Sequence, residues 1–204
     1  MCLVWSSRSV RSNKQDLRLA DLVPFFVEIG SCDFDTCLPL AQNGWGGIVC
    51  EANPEIFPEV KKMFSGTKVH CMNCAVTDHD GEVEIALAAG WGWAKGISHI
   101  VSPNHLGARL CDDPKNENNF KPPVKVQGKT LDTILEYHAV SKIDFLKIDT
   151  EGHELNILKS FSFNVRPRYI KVEHRLTDDL AISKILRQEN YLTWTEENDI
   201  YAIG

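Results

Sequence analysis

The chain predicts an α/β fold, with one mostly parallel sheet, helices on both faces and an antiparallel strand at the edge. Three observations predict it. Apolar runs of strand length alternate with helix-like stretches in the first and last thirds of the chain. Such an order implies right-handed crossovers and parallel pairing. The last two apolar runs, 191–195 and 199–203, are separated only by Glu196-Glu197-Asn198, so they close as an antiparallel pair. Finally, the 204 residues are 43% hydrophobic and 25% charged, an ordinary globular balance in a chain long enough for one full core.

The elements follow in order. Residues 1–23 are expected to form an N-terminal arm or extra helix, and 24–204 a single domain. The arm is basic and Ser-rich but has no continuous apolar run, so it does not read as a secretory signal. Strands are expected at Phe25–Ile29, 47–51 and Lys68–Asn73, with helices at 36–43 and 54–64 between them. Pro54 suits a first helical turn, where its missing N–H is harmless. Residues 82–87 alternate apolar and polar after Asp80-Gly81, a turn signal, and predict an additional strand. Residues 90–123 are rich in Gly, Pro and Asn and include Trp91, Trp93, His99 and His105. A loop of that length inside a compact domain is usually functional or disordered. Beyond it come a strand at 124–127, a helix at 130–138, a strand at Ile143–Ile148, a helix at 153–161, a strand at 169–173 and a helix at 178–189.

Charge and cysteines limit the partners. A net charge of −6 gives no general attraction for nucleic acid or an anionic membrane. No apolar run approaches the roughly 20 residues that span a bilayer. The cysteines number seven, an odd count, and Cys32, Cys37, Cys50, Cys71 and Cys74 fall in or beside expected core elements. Cys71-Met72-Asn73-Cys74 has the spacing of a redox or zinc pair, but no second such pair completes a zinc site. Buried free thiols in a reducing, cytoplasmic compartment are expected instead.

Four segments carry chemistry. In the first, Glu28-Ile29-Gly30-Ser31-Cys32-Asp33, a strand ends in a glycine flanked by acids. Ligands of open parallel sheets bind beyond such strand ends, and the glycine allows close backbone approach. The glycines of the dinucleotide pattern are absent, and acids suit an ammonium group or ribose hydroxyls better than a pyrophosphate. An adenosine cofactor with an amino-acid part is therefore favoured over NAD. In the second, Glu51-Ala52-Asn53-Pro54, an acid follows Gly30 by about 20 residues, the spacing of a ribose-binding carboxylate. The third is Lys147-Ile148-Asp149-Thr150-Glu151-Gly152-His153-Glu154, where acids cluster at a strand end. Glu154 reads there as an acid favoured by the positive end of the next helix. The fourth, Lys171-Val172-Glu173-His174-Arg175, ends the neighbouring strand, so Glu173 and His174 can face Asp149 and Glu151 across one crevice. A carboxylate or imidazole there can take a proton from an acceptor hydroxyl. The same groups suit a divalent cation, but no metal-ligand spacing is compelling and no metal is expected.

Together and in this order, these segments resemble the FkbM-type methyltransferases, a branch of the Rossmann-like S-adenosylmethionine-dependent enzymes. FFVEIGSCDFDT, IVCEANPEIF, VHCMNCAVTDHDGEVEI, VKVQGKTLDTIL, DFLKIDTEGHELNILKSF and YIKVEHR carry the resemblance, over roughly residues 25–175. Cys32 and Asp33 stand where many relatives have a small residue and Asn. The resemblance implies a class I methyltransferase fold with a seven-stranded sheet. It implies that Glu28, Gly30 and Ser31, with Asp33, hold the methionine part of S-adenosylmethionine. Glu51, with Ala52 and Asn53, would bind the ribose, and Asn73, Cys74 and Ala75 would lie beside the adenine. Asp149 would reach both cofactor and reaction centre. Asp149 or His174 would act as base, with Glu151 and Glu173 orienting the acceptor. S-adenosylhomocysteine would be the product and a sugar or other small-molecule or glycan hydroxyl the acceptor. Two other readings stay open: a nicotinamide oxidoreductase on a related fold, and a non-catalytic module that retains the cofactor site.

Overall fold

A computed structural model describes residues 23–32, 36–88, 98–101 and 120–204. The N-terminal arm, Asp33, Trp91, Trp93 and His105 lie outside the described residues.

The main sheet is built from β1 (Phe25–Ile29), β2 (Gly46–Glu51), β3 (Lys68–Asn73), β8 (Ile143–Ile148), β9 (Pro167–Glu173), β10 (Leu192–Glu196) and β11 (Asp199–Ile203). Their spatial order is β10-β11-β9-β8-β1-β2-β3. The pairs β1–β2, β2–β3, β1–β8 and β8–β9 are parallel, whereas β11 runs antiparallel to both β9 and β10. The expected edge arrangement is thus present, and Leu192 pairs with Ile203 at one end of the closing hairpin and Glu196 with Asp199 at the other.

Helices cover both faces, and the two-residue period of the strands decides which side chains meet them. Phe26 and Val49 point to one face and pack with Ala41 of α1 (Leu38–Gln42) and Val60 of α2 (Phe57–Met63). Val27, Ile29, Ile48 and Cys50 point to the other. They pack with α3 (Leu131–Tyr137), α4 (Glu154–Ser160) and α5 (Asp179–Gln188) through Ile134, Ile157 and Ile182. Burial on both faces explains why β1 and β2 read as continuous apolar runs.

Two sequence expectations change. The helix expected at 54–64 begins at Phe57, and it is Pro58 that occupies its first turn. Pro54 lies in a preceding turn, where Asn53 Oδ1 accepts the Glu55 N–H at 2.9 Å. The strands at Gly81–Ala86 (β5) and Val124–Lys129 (β7) form a second, four-stranded sheet with β4 (Ala75–Val76) and β6 (His99–Ile100), in the order β4-β7-β5-β6. Its apolar side, with Ala75, Ile85 and Ile100, forms a separate small core. This sheet stands beside the carboxyl end of β3 and brings Ser98, His99 and Ile100 of the long middle loop to the site.

Candidate active site

The strand order reverses at β1, which has β2 on one side and β8 on the other. Open α/β sheets bind ligands at such a switch point, outside the carboxyl ends of the strands. A crevice of about 290 Å³ lies there, bounded by the ends of β1, β2, β8 and β9, by the small sheet and by the β10–β11 turn. Gly30 has φ +77°, and a Cβ on it would fall 1.6 Å from the Asp149 carbonyl oxygen. The glycine therefore lets the ends of β1 and β8 touch, with Asp149 N–H donating to Ile29 O at 2.9 Å. Backbone makes one close approach here, and Gly30 also lines the crevice.

On the β2 side, Glu51 is buried beneath the loop that follows Gly30. Its carboxylate accepts the N–H groups of Cys32 at 2.8 Å and Asn53 at 2.7 Å. Burial raises its proton affinity, and these bonds oppose the rise. The Ser31 N–H bonds it as well. Ser31, 1% exposed, lines the crevice, and its Oγ has no hydrogen-bond partner among the described residues. Ala52, Asn53, Cys74 and Ala75 also line it, whereas Asn73 does not. The Asn73 amide instead donates to the Glu51 and Ala52 carbonyls, fixing the tip of β2. Glu28 lies behind the crevice wall, 0% exposed, taking the Cys37 N–H at 3.0 Å and facing Lys147 Nζ at 3.5 Å.

Opposite Glu51, the strand register gathers acids. Ile148 pairs with Val172, so Asp149 and Glu173 follow side by side, and Glu173 pairs with Asp199. Asp149, Glu151 and Glu173 each offer an oxygen within 4.8 Å of the others, a spacing a divalent cation also accepts. Protein cations already reach these oxygens. Arg175 meets Glu151 at 2.9 Å and Glu173 at 3.6 Å, and Lys147 meets Asp149 at 3.6 Å. Burial, reinforced by the charges of Asp149 and Glu151, pushes the Glu173 carboxyl up to about 8. Burial also raises Glu151, against the opposing pull of Arg175.

His174 is not part of the crevice lining; its N–H donates to Asn198 O at 2.8 Å. Sequence reasoning gave no role to Arg175 or Lys171, which share the lining with the acids. Alternation along β9 carried that signal for Lys171, two residues before Glu173, whereas Arg175 lies in the turn beyond the strand. Lys171 pairs with Asp199 at 3.2 Å, which ties the β10–β11 turn to the crevice. His99 of the middle loop is 2% exposed, lines the same crevice and meets the Phe120 ring edge-on at 5.2 Å. Glu154 is fully buried rather than an exposed helix-end acid.

No described helix is long and apolar enough to cross a membrane. The model of the methyltransferase FkbM domain matches residues 26–193, most of the chain. None of the curated proteins gives a significant match.

Proposed function

The chain belongs to the FkbM methyltransferase family, and from that premise we propose that it moves a methyl group from S-adenosylmethionine to a hydroxyl of a sugar or other small acceptor. The observation that carries this reading is one crevice with two chemically distinct walls. Glu51 and Ser31 stand on one side, and Asp149, Glu151 and Glu173 on the other.

The residues present fit the methyl donor. The Glu51 carboxylate suits ribose hydroxyls, and the orphaned Ser31 Oγ suits a polar group of the methionine part. Cys74 and Ala75 offer an apolar wall for the adenine. Glu28 supports this wall from behind through Lys147 and the start of α1. When bound, S-adenosylmethionine supplies an electrophilic methyl group on a good leaving group.

The protein's part is then alignment, exclusion of water and removal of one proton. Asp149 and Glu151 orient the acceptor hydroxyl. Glu173 is favoured as base over Asp149 and His174. Its Oε2 has no partner among the described residues, Asp149 is held by Lys147, and His174 stands outside the lining. A carboxyl with raised proton affinity is also the stronger base once it is deprotonated.

Calorimetry with S-adenosylhomocysteine and with NADH tests the cofactor, and binding of NADH alone would remove the methyltransfer reading. A panel of glycan and small-molecule acceptors with methyl-labelled donor, read by mass spectrometry, tests the reaction. Methylation confined to nitrogen would refute the hydroxyl acceptor. Tight binding of S-adenosylhomocysteine with no transfer to any acceptor would favour a binding module.

A further inference from the structure

Glu154 opens α4, yet its carboxylate does not lie at the helix surface. The side chain is 0% exposed and turns back into the preceding loop. Its Oε1 accepts from Thr150 N–H at 2.7 Å, Thr150 Oγ1 at 2.9 Å and Gly152 N–H at 3.1 Å. The residue that caps α4, His153, makes no side-chain cap bond, so the acid one position later organises the turn.

That turn is held in an uncommon shape. Glu151 has φ 56° and Gly152 φ 109°. A non-glycine residue in the left-handed region costs of the order of 1 kcal/mol and persists only when its surroundings over-determine it. Three donors converging on one buried oxygen supply that constraint. The result is the direction of the Glu151 side chain, which meets Arg175 at 2.9 Å on the same wall of the crevice. Arg175 in turn lies 3.6 Å from Glu173.

We propose that Glu154 is a positioning residue: its buried carboxylate is the template on which Thr150–Gly152 folds, and through that loop it sets Glu151 and Arg175 against Glu173. A helix-dipole role predicts little change on removing an acid at this place. A template role predicts that three donors lose their acceptor at once, each needing a replacement in a buried site.

Amide hydrogen exchange on the S-adenosylhomocysteine-saturated protein tests this, because it needs no acceptor. Glu154→Ala should raise exchange at Thr150 and Gly152 by tenfold or more and leave Ile148 and Val172 unchanged. Glu154→Gln, which keeps an acceptor oxygen in place, should restore most of the protection. Affinity for S-adenosylhomocysteine should change by less than threefold. If the alanine variant does not fold, Glu154→Asp, which withdraws the oxygen by one methylene, should show the same local loss. Unchanged protection in the shortened variants, or no rescue by glutamine, would overturn the proposal. The exchange comparison is also made on the free protein, where it does not depend on the methyltransferase reading. The affinity and turnover arms do rest on that reading, and kcat should fall tenfold or more in Glu154→Ala with KM for the methyl donor kept. A wild-type protein that binds S-adenosylhomocysteine but transfers no methyl would count against that reading and leave the exchange result standing.

Discussion

Asp149 has Lys147 Nζ 3.6 Å from its Oδ2, whereas Glu173 keeps one buried oxygen without a partner among the described residues. The two acids are neighbours in different surroundings, and the consequence for Glu173 can be measured. Glu173→Gln should lower turnover by about 10²–10⁴-fold, the span typical of a lost general base, with S-adenosylhomocysteine affinity within a few-fold of wild type. Glu173 must be deprotonated to accept a proton, and burial with two neighbouring acids raises it to about 8. Turnover should therefore climb as pH rises through that region. Rate profiles of wild type and Glu173→Gln check this; the same rise in both would move the base elsewhere. The cation question is decided at the same residues. Arg175 and Lys147 already supply positive charge to the three carboxylates, so turnover should survive incubation with EDTA. Loss on chelation, restored by magnesium or manganese, would instead assign Asp149, Glu151 and Glu173 to a metal. Asp149, Glu151 and Glu173 were legible in the sequence because each stands at or just past a strand end. Glu154 was not, since an acid at a helix start already has an ordinary electrostatic reason to be there.

At the scale of elements, the ends of strands were easier to read than the beginnings of helices. β1, β3, β8 and β11 coincide with the expected strands, although only β1 and β8 are buried along most of their length, whereas β3 at the sheet edge is half exposed. The start of α2 was displaced by three residues because Asn53 builds a side-chain turn of its own before the helix. The second sheet was hidden for another reason: β4 and β6 have two residues each, too short for any period to show. Its junction with the main domain is instead held by side chains. Asp80 accepts from Thr130 N–H at 2.8 Å and Thr133 Oγ1 at 2.9 Å, while Thr130 caps α3 through the Thr133 N–H. Thr130→Ala should thus cost about 1 kcal/mol as a lost N-cap. Gly30→Ala, where left-handed backbone and overlap with the Asp149 carbonyl combine, should cost about 3 kcal/mol or more. Urea unfolding of both variants measures these, and equal small losses would show that the β1–β8 junction relaxes around the added methyl.

The whole molecule carries the consequence of collecting acids in one crevice. Burial pushes Glu154 up to about 7 and Glu173 to about 8, both far above an exposed glutamate. In the unfolded chain these side chains titrate near 4.5. Between 4.5 and the folded values, the folded state holds protons that the unfolded state has released. Stability from these groups is thus fully present below 4.5 and is lost as pH rises through 7 to 8. For Glu154, which is wholly enclosed, the full effect is on the order of 3 kcal/mol; Glu173 is partly open to solvent and contributes less than its shift suggests. His138 works in the opposite sense: burial and His70 lower it, so its penalty grows only as pH falls below about 6.5. The window from pH 6.5 to 8 therefore isolates the acids. Unfolding free energy from urea titrations should fall across that window, and Glu154→Gln, which cannot release a proton, should remove about 1 kcal/mol of the fall there and more of it between pH 4.5 and 6.5. A steep decline that survives in Glu154→Gln would move the effect to Glu173 and its neighbours. On the proposed reading, saturating S-adenosylhomocysteine should raise the whole curve by mass action. It carries no sulfonium, so it should leave the Glu154-dependent slope in place.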